Sequence, residues 1–157
     1  MRGYFGIGIY EPQQPANMAA LMRSAAAFGA AWTFQVGGGQ RFYAAPSNTC
    51  KAEKHIPHMV FTSHEAFNAY IPIGCKVVAV EMTDDALGLP PFDHPERACY
   101  VLGAESTGLP TAVIEAASTV LHIPTAVSWS LNVATAGAIV MYDRHSKSVR
   151  RVQEGRE

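Results

Sequence analysis

The chain has 157 residues, of which 48% are hydrophobic and 16% are charged. This length favours a single domain over residues 1–157, with a core large enough to exclude a disordered chain or a disulfide-dependent miniprotein. Its Lys and Arg residues number 12 and its Asp and Glu residues 13, a net charge of −1. That balance excludes a polycation that coats nucleic acid, so any basic surface must be local.

The predicted elements alternate between strands and helices. In chain order they are strand 4–10, helix 18–28, strand 33–36, strand 59–62, helix 63–69, strand 75–81, strand 98–102, helix 111–117, strand 119–123 and helix 131–143. Asn17 is the expected N-cap of the first helix and Gly29 its stop. Residues 83–95, with three prolines and three aspartates, predict a surface loop, and residues 144–157 a charged tail. This alternation predicts an α/β fold with a largely parallel sheet covered on both faces.

Targeting signals and metal-binding patterns are missing from the sequence. The first residues carry no signal-peptide pattern, and no apolar run reaches the roughly 18 residues that a membrane span needs. Three widely spaced cysteines without a Cys-x-x-Cys pair indicate reduced thiols. Cys50 and the nearby histidines lack the spacing of a zinc site. We therefore expect a cytoplasmic protein with no membrane partner and no metal.

Three segments at the ends of predicted strands have unusual compositions, and ligands of parallel sheets bind at such carboxyl ends. They cover residues 11–23, 102–110 and 123–133. The second, LGAESTGLP, is not a phosphate loop, because Leu109 and Pro110 stand where a Lys-Ser/Thr pair is required. A dinucleotide-binding Gly-x-Gly-x-x-Gly pattern is also missing there. What remains is a tight backbone turn with one acid, Glu105, suited to a polar small molecule.

In this order, the three segments resemble the motifs of the SpoU/TrmH family of RNA ribose 2′-O-methyltransferases, in the SPOUT superfamily. The first motif is an Asn followed six residues later by an Arg, matched by Asn17 and Arg23. The second is matched throughout 102–110. The third is an Ile-Pro pair followed by Ser-Leu-Asn-Val, matched at 123–124 and 130–133. One departure is Ala19, where the family usually has glycine.

The resemblance implies a deep trefoil knot near the C-terminus, a homodimer with a composite active site, and S-adenosyl-L-methionine as cofactor. It assigns catalytic positions to Asn17, Arg23, Glu105, Ser130 and Asn132. It assigns cofactor contacts to Val80, Leu102, Gly103, Gly108, Ile123, Ser130 and Leu131. The predicted helix over 131–142 is apolar on nearly all sides, so we expect burial all round. Packing in a knot and against a second subunit would bury it, as would an ordinary core.

The residue types suit methyl transfer, an in-line displacement in which the protein positions the hydroxyl and assists loss of its proton. The resemblance gives this duty to Arg23. Because arginine rarely gives up its proton, we expect Arg23 chiefly to stabilise developing oxyanion and phosphate charge. Glu105 either orients substrate or Arg23, or lies at a helix N-terminus that favours negative charge. Ser130 and Asn132 either contact substrate, cofactor or Arg23, or supply a helix N-cap.

RNA recognition needs a local positive surface, and two stretches carry basic residues. Residues 41–58 mix them with Phe42 and Tyr43, a composition suited to phosphates and unstacked bases, and residues 144–156 form a basic tail. Ordinary solvated surface is the alternative for both. We expect one domain to recognise RNA across two subunits, with tRNA favoured over rRNA. A catalytically silent RNA-binding dimer and an unrelated small-molecule enzyme are the competing hypotheses.

Overall fold

In the computed structural model, which describes residues 3–38 and 51–155, seven strands form one sheet in which every pair is parallel. The strand order is β3-β2-β1-β6-β4-β7-β5. The strands are β1 Phe5–Tyr10, β2 Trp32–Val36, β3 His58–Phe61, β4 Lys76–Val80, β5 Leu87–Gly88, β6 Ala98–Leu102 and β7 Thr119–His122. The predicted parallel α/β architecture is confirmed, and β5 is a short strand within the segment expected to be a loop. The trefoil knot stays a prediction.

Helices cover both faces of this sheet, which explains why its central strands are apolar without interruption. They are α1 Pro15–Phe28, α2 His64–Tyr70, α3 Thr111–Ala116 and α4 Val133–Gln153, with a 3-10 turn at Ala52–Lys54. In β6, Tyr100 and Leu102 join one apolar cluster with α1 and α4, while Cys99 and Val101 join the other. The side-chain period of two in a strand divides the core in this way.

The closest contact between α1 and α4 depends on a glycine. A Cβ built on Gly137 would lie 2.3 Å from Leu21 Cδ1, well inside van der Waals contact. Both residues are buried. A side chain at position 137 would therefore displace the end of the Leu21 side chain, so the glycine favours close packing of the two helices.

The boundaries of α1 differ from the prediction. The helix begins at Pro15, and its N-cap is Gln14, three positions before the expected cap Asn17. Proline is well suited to the first helical position, because its missing N–H has no partner there in any case. The Asn17 side chain is therefore not needed for capping. The end at Gly29, in the left-handed conformation, is as expected.

The last helix is longer than predicted, and residues 144–153 of the expected tail belong to it. Arg144 is the physical reason. It is 8% exposed, and its guanidinium donates hydrogen bonds to the carbonyls of Pro95 (2.6 Å) and Glu96 (2.9 Å) and to Tyr100 Oη (3.1 Å). Arg144, which was predicted to lie in the charged tail, thus anchors the helix and is not part of an RNA-binding surface.

The expected burial of the last helix on all sides is wrong for the single chain. Val140 and Met141 are fully buried, but Tyr142 next to them is 61% exposed, and Val149 and Val152 are exposed as well. One side of α4 therefore presents apolar side chains to solvent. None of the helices in the described ranges is long and apolar enough to cross a membrane.

A polar network links α4 to the sheet near its amino edge. Tyr100 Oη lies 2.6 Å from His94 Nδ1, and His94 Nε2 lies 2.9 Å from Asp143, which also pairs with Lys147 at 2.6 Å. The carboxylate of Asp143 can only accept, so His94 Nε2–H donates to it, and Nδ1 accepts a hydrogen bond from the Tyr100 hydroxyl, whose oxygen accepts one from Arg144. Burial raises the pKa of Tyr100 to about 12 and lowers the pKa of His94.

Two cysteine thiols are described, and both are free. Cys99 is buried in the sheet, and burial raises its thiol pKa to about 12, so it stays protonated at neutral pH. Cys75 is half-buried. Cys50 and the aromatic residues Phe42 and Tyr43 lie outside the described residues.

His58 makes the stability of the fold dependent on pH. The side chain is half-buried, with Nδ1 3.0 Å from Thr33 Oγ1, and burial lowers its pKa from 6.5 to about 4. Below pH 6.5 the unfolded chain takes up a proton that the folded protein resists until about pH 4. Stability from this group is therefore present above pH 6.5 and is lost as the pH falls to 4.

We expect His58→Asn, which can keep the bond to Thr33, to remove this dependence. Between pH 7 and 4.5 the wild-type protein should lose about 2 kcal/mol more unfolding free energy than the variant. Urea unfolding at the two pH values measures the difference. Parallel pH profiles for the two proteins would contradict it.

Candidate active site

A cavity of about 450 Å3 opens at the carboxyl edge of the sheet, among the segments that follow β4, β6 and β7. All seven residues predicted to contact the cofactor lie on its wall. They are Val80, Leu102, Gly103, Gly108, Ile123, Ser130 and Leu131. The fold thus brings together three chain segments that are far apart in sequence, and the function of these residues stays a prediction.

Asn17, Glu105 and Asn132 form a polar cluster beside this cavity, and each comes from a different motif. The Asn17 side-chain amide donates a short hydrogen bond to Glu105 Oε1. Asn132 Nδ2 donates to Asn17 Oδ1 at 2.9 Å. Glu105 lies on the cavity wall, so the cluster joins the wall to the first turns of α1 and α4. Residues predicted from separate motifs are therefore in direct contact.

Of the two functions proposed as alternatives for Asn132, the structure shows the helix N-cap, and it adds a contact with Asn17 that was not predicted. Its Oδ1 accepts hydrogen bonds from the backbone N–H groups of Ala134 (3.0 Å) and Thr135 (3.2 Å), which makes it the N-cap of α4. Its Nδ2 remains free to donate to Asn17. Ser130 is exposed, lies on the cavity wall and takes no part in the cap.

Glu81 is a site residue that the motifs did not indicate. It follows β4 and lies on the cavity wall, where its Oε2 accepts from Leu109 N (2.8 Å) and its Oε1 from Met82 N (3.0 Å). Gly108 has φ +66°, and a Cβ there would lie 2.6 Å from Glu81 Oε2. The carboxylate and the glycine together hold the turn after β6. The available signal was an acid placed directly after an apolar strand.

Gln13 is the second residue that sequence reasoning missed. Its backbone N–H donates to Glu105 Oε2 at 3.4 Å, and its side-chain amide donates to Ser106 Oγ. These contacts tie the loop before α1 to the turn after β6. No sequence signal distinguishes Gln13 from its neighbour Gln14, because both lie in the same proline-flanked loop.

Arg23 is the one predicted catalytic residue that lies apart from the others. It is exposed on α1, and within the described part of the chain its side chain makes no hydrogen bond or ion pair. Six residues separate it from Asn17, which places it about 9 Å along the helix and on a different face. Ala19, at the position where the family usually has glycine, is 2% exposed and packs in the core.

The charged residues of the cavity wall are acidic, and the rest of the wall is a mixture of apolar and uncharged polar residues. Its charged residues are Glu81 and Glu105, it contains no Lys or Arg, and its one histidine, His122, contacts the Ala86 carbonyl at 3.1 Å. Such a wall favours a ligand with a positive charge and an apolar or aromatic part. In residues 3–38 and 51–155, no group of three or more His, Cys, Asp or Glu side chains is placed to hold a metal ion.

Comparison with protein families and curated proteins gives a consistent result. The model of the SpoU rRNA Methylase family matches residues 5–142. The chain is 25% identical over 134 residues to the tRNA (guanosine(18)-2′-O)-methyltransferase of Escherichia coli (strain K12). That match covers 83% of this chain and 58% of the relative, so the chain spans less than two thirds of the relative's length.

Solved structures share the fold. The SpoU methyltransferase AviRb from Streptomyces viridochromogenes, in complex with AdoMet, superposes with a TM-score of 0.86 at 22% identity and covers 95% of this chain and 59% of that one. A structure described as giving insights into the 2-OH methylation of C/U34 on tRNA superposes with a TM-score of 0.83 at 25% identity. This superposition covers 96% of this chain and 100% of the other.

We expect Glu81→Ala to loosen the turn after β6, because the Leu109 N–H loses its acceptor. Hydrogen exchange at this amide should accelerate, and the unfolding free energy should fall by about 1–2 kcal/mol. Glu115→Ala is the matched control, since Glu115 is exposed on α3 and its side chain makes no hydrogen bond within the described ranges. Equal exchange at Leu109 in both variants would show that Glu81 does not hold the turn.

Proposed function

The chain belongs to the SpoU rRNA Methylase family, and we propose that it is an S-adenosyl-L-methionine-dependent RNA ribose 2′-O-methyltransferase that acts on tRNA. The observation that carries this proposal is the contact of Asn17, Glu105 and Asn132 beside a cavity lined by all seven predicted cofactor residues. The three matched motifs thus meet at one place, where a cofactor and an acceptor could be held side by side.

The cavity suits S-adenosyl-L-methionine in its volume, its lining residues and its charge. Leu102, Ile123 and Leu131 offer apolar surface to an adenine ring, and the backbone of 103–108 offers amides and carbonyls. Glu81 and Glu105 supply negative charge that suits a sulfonium. When bound, this cofactor supplies an electrophilic methyl group. A cavity of this volume falls in the ordinary range for small-molecule sites.

Glu105 is the group best placed to meet the acceptor hydroxyl. Its Oε1 accepts from Asn17, and among the described residues its Oε2 accepts a single bond, the long 3.4 Å one from Gln13. Oε2 therefore has capacity left to accept a hydrogen bond from a ribose hydroxyl and orient it toward the cavity. Asn17 and Asn132 hold the carboxylate in place, and exposed Ser130 is available to the substrate on the cavity wall.

Arg23 serves best in a homodimer, at the site of the partner subunit. On its own chain it lies on a different face of α1 from Asn17 and is not part of the cavity wall. Exposed apolar residues of α4, among them Tyr142 and Val149, give a second copy a surface to cover. A guanidinium brought by the partner would stabilise the charge that develops on the acceptor oxygen and neighbouring phosphates.

The names of the relatives favour tRNA over rRNA. The Escherichia coli relative is named for guanosine 18 of tRNA, and the structure of the same length concerns position 34 of tRNA. The family description names rRNA, which keeps rRNA as the second substrate class to be tested. A cytoplasmic location fits either RNA.

The direct test is transfer of a labelled methyl group from S-adenosyl-L-methionine to unmodified total tRNA and, separately, to rRNA. We expect label in alkali-resistant dinucleotides of tRNA. Arg23→Ala should lower the rate at least about a hundredfold, and Arg23→Lys should restore little, because a forked guanidinium is needed. Arg97→Ala, an exposed arginine over the Tyr4 ring at the amino edge of the sheet, is the matched control. Cofactor binding without transfer to either RNA would overturn the proposed activity.

A composite site predicts that two inactive chains complement each other. Arg23→Ala leaves the cavity intact, and Glu105→Ala leaves Arg23 intact, so a heterodimer of the two has one complete site. Heterodimers purified through two different tags should show about half of the wild-type rate, while each variant alone is inactive. An inactive heterodimer would show that Arg23 does not act across subunits.

A further inference from the structure

The two tryptophans of the chain have opposite environments. Trp32 is 4% exposed and packs against the rings of Phe34, Phe61 and Tyr70. Trp129 is 78% exposed and lies on the wall of the cavity, directly before Ser130. An indole left in water forgoes the free energy of burial that its large apolar area offers. A ligand that covers the Trp129 indole on binding would gain this free energy of burial.

The backbone around Trp129 is held by local hydrogen bonds. The backbone N–H of Trp129 donates to the Val127 carbonyl at 2.8 Å, and Thr125 Oγ1 donates to the same oxygen at 2.6 Å. These bonds define a turn at 125–129. The exposed indole on the cavity wall is therefore carried by a hydrogen-bonded turn.

The distance to the polar cluster indicates what would cover the indole. Trp129 precedes Asn132 by three residues, a span of at most about 10 Å. Asn132 contacts Asn17, which in turn contacts Glu105, the proposed partner of the acceptor hydroxyl. A nucleobase lies within this reach of its own ribose. The wall carries no Lys or Arg that would instead bind a phosphate there.

We infer that Trp129 is the stacking platform for the base attached to the acceptor ribose. This inference rests on the proposed function. Aromatic faces bind unstacked bases of any identity, whereas a base inside a duplex is already stacked on both sides. Trp129 therefore selects an unpaired nucleotide, in a loop or bulge, and contributes little to the choice between bases.

Tryptophan fluorescence tests the contact without requiring catalysis. Trp129→Phe leaves Trp32 as the sole tryptophan, so the difference from wild type reports Trp129. In wild-type protein with S-adenosylhomocysteine, an unpaired RNA hairpin loop should quench the emission and protect it from acrylamide. The same nucleotides in a duplex should do neither. Trp129→Phe should show no RNA-dependent change.

Kinetics then test what the contact contributes. Trp129→Leu should raise the KM for RNA about tenfold, with kcat and the KM for S-adenosylmethionine within about threefold, since stacking is uniform binding. Trp129→Phe, which keeps an aromatic face, should restore most of the loss. Ile73→Ala is the control for loss of exposed apolar area, because Ile73 is 93% exposed and precedes β4 at the opposite edge of the sheet.

Three results would overturn the inference. Protection of Trp129 from acrylamide in the free protein would indicate cover by a second copy, and protection by S-adenosylhomocysteine alone would indicate a cofactor contact. An unchanged KM for RNA in Trp129→Leu would show that no base stacks there, with the methyltransferase activity intact. Loss of the proposed function itself is distinguishable, because it would appear as no methyl transfer by the wild-type protein.

Discussion

The site depends on a single side-chain amide, that of Asn17, which uses its two ends differently. The NH2 end donates to Glu105, and the carbonyl end accepts from Asn132. An aspartate lacks the donor and a leucine lacks both groups, so neither side chain of similar size could donate to Glu105 and accept from Asn132. The elements that carry these residues, α1 and α4, pack closely at Leu21 and Gly137. Helix packing thus determines the chemistry at the edge of the sheet.

The acidic residues of the cavity wall and the exposed Arg23 lie in different places on the chain. The cavity wall provides Glu81 and Glu105 but no cation, while the exposed Arg23 is elsewhere on the same chain. This separation favours a reaction in which the acidic wall receives a cationic cofactor and a second molecule brings positive charge to the acceptor. Under the proposed function, the second molecule is another copy of the chain, whose Arg23 would complete the site.

Much of this arrangement was predictable from the sequence, for reasons that differ between elements. Continuous apolar runs identified the central strands, because burial on both faces leaves little choice of residue. The cavity residues followed from motif resemblance, which carries spatial information that periodicity lacks. Glu81 and Gln13 were missed because their partners are backbone and side-chain groups distant in the chain. The extent of α4 was missed because the partners of Arg144 lie 48 or so residues away in sequence.

The length of α4 has a mechanical consequence. A helix of 21 residues is a stiff rod of about 31 Å, with Asn132 capping one end and Arg144 fastened about 18 Å away beside Tyr100 and His94. A small tilt at the fastened end would be transmitted to the cap as a displacement of Asn132 relative to Asn17. The contacts of Arg144 at the amino edge of the sheet therefore help to set the position of Asn132 at the opposite edge.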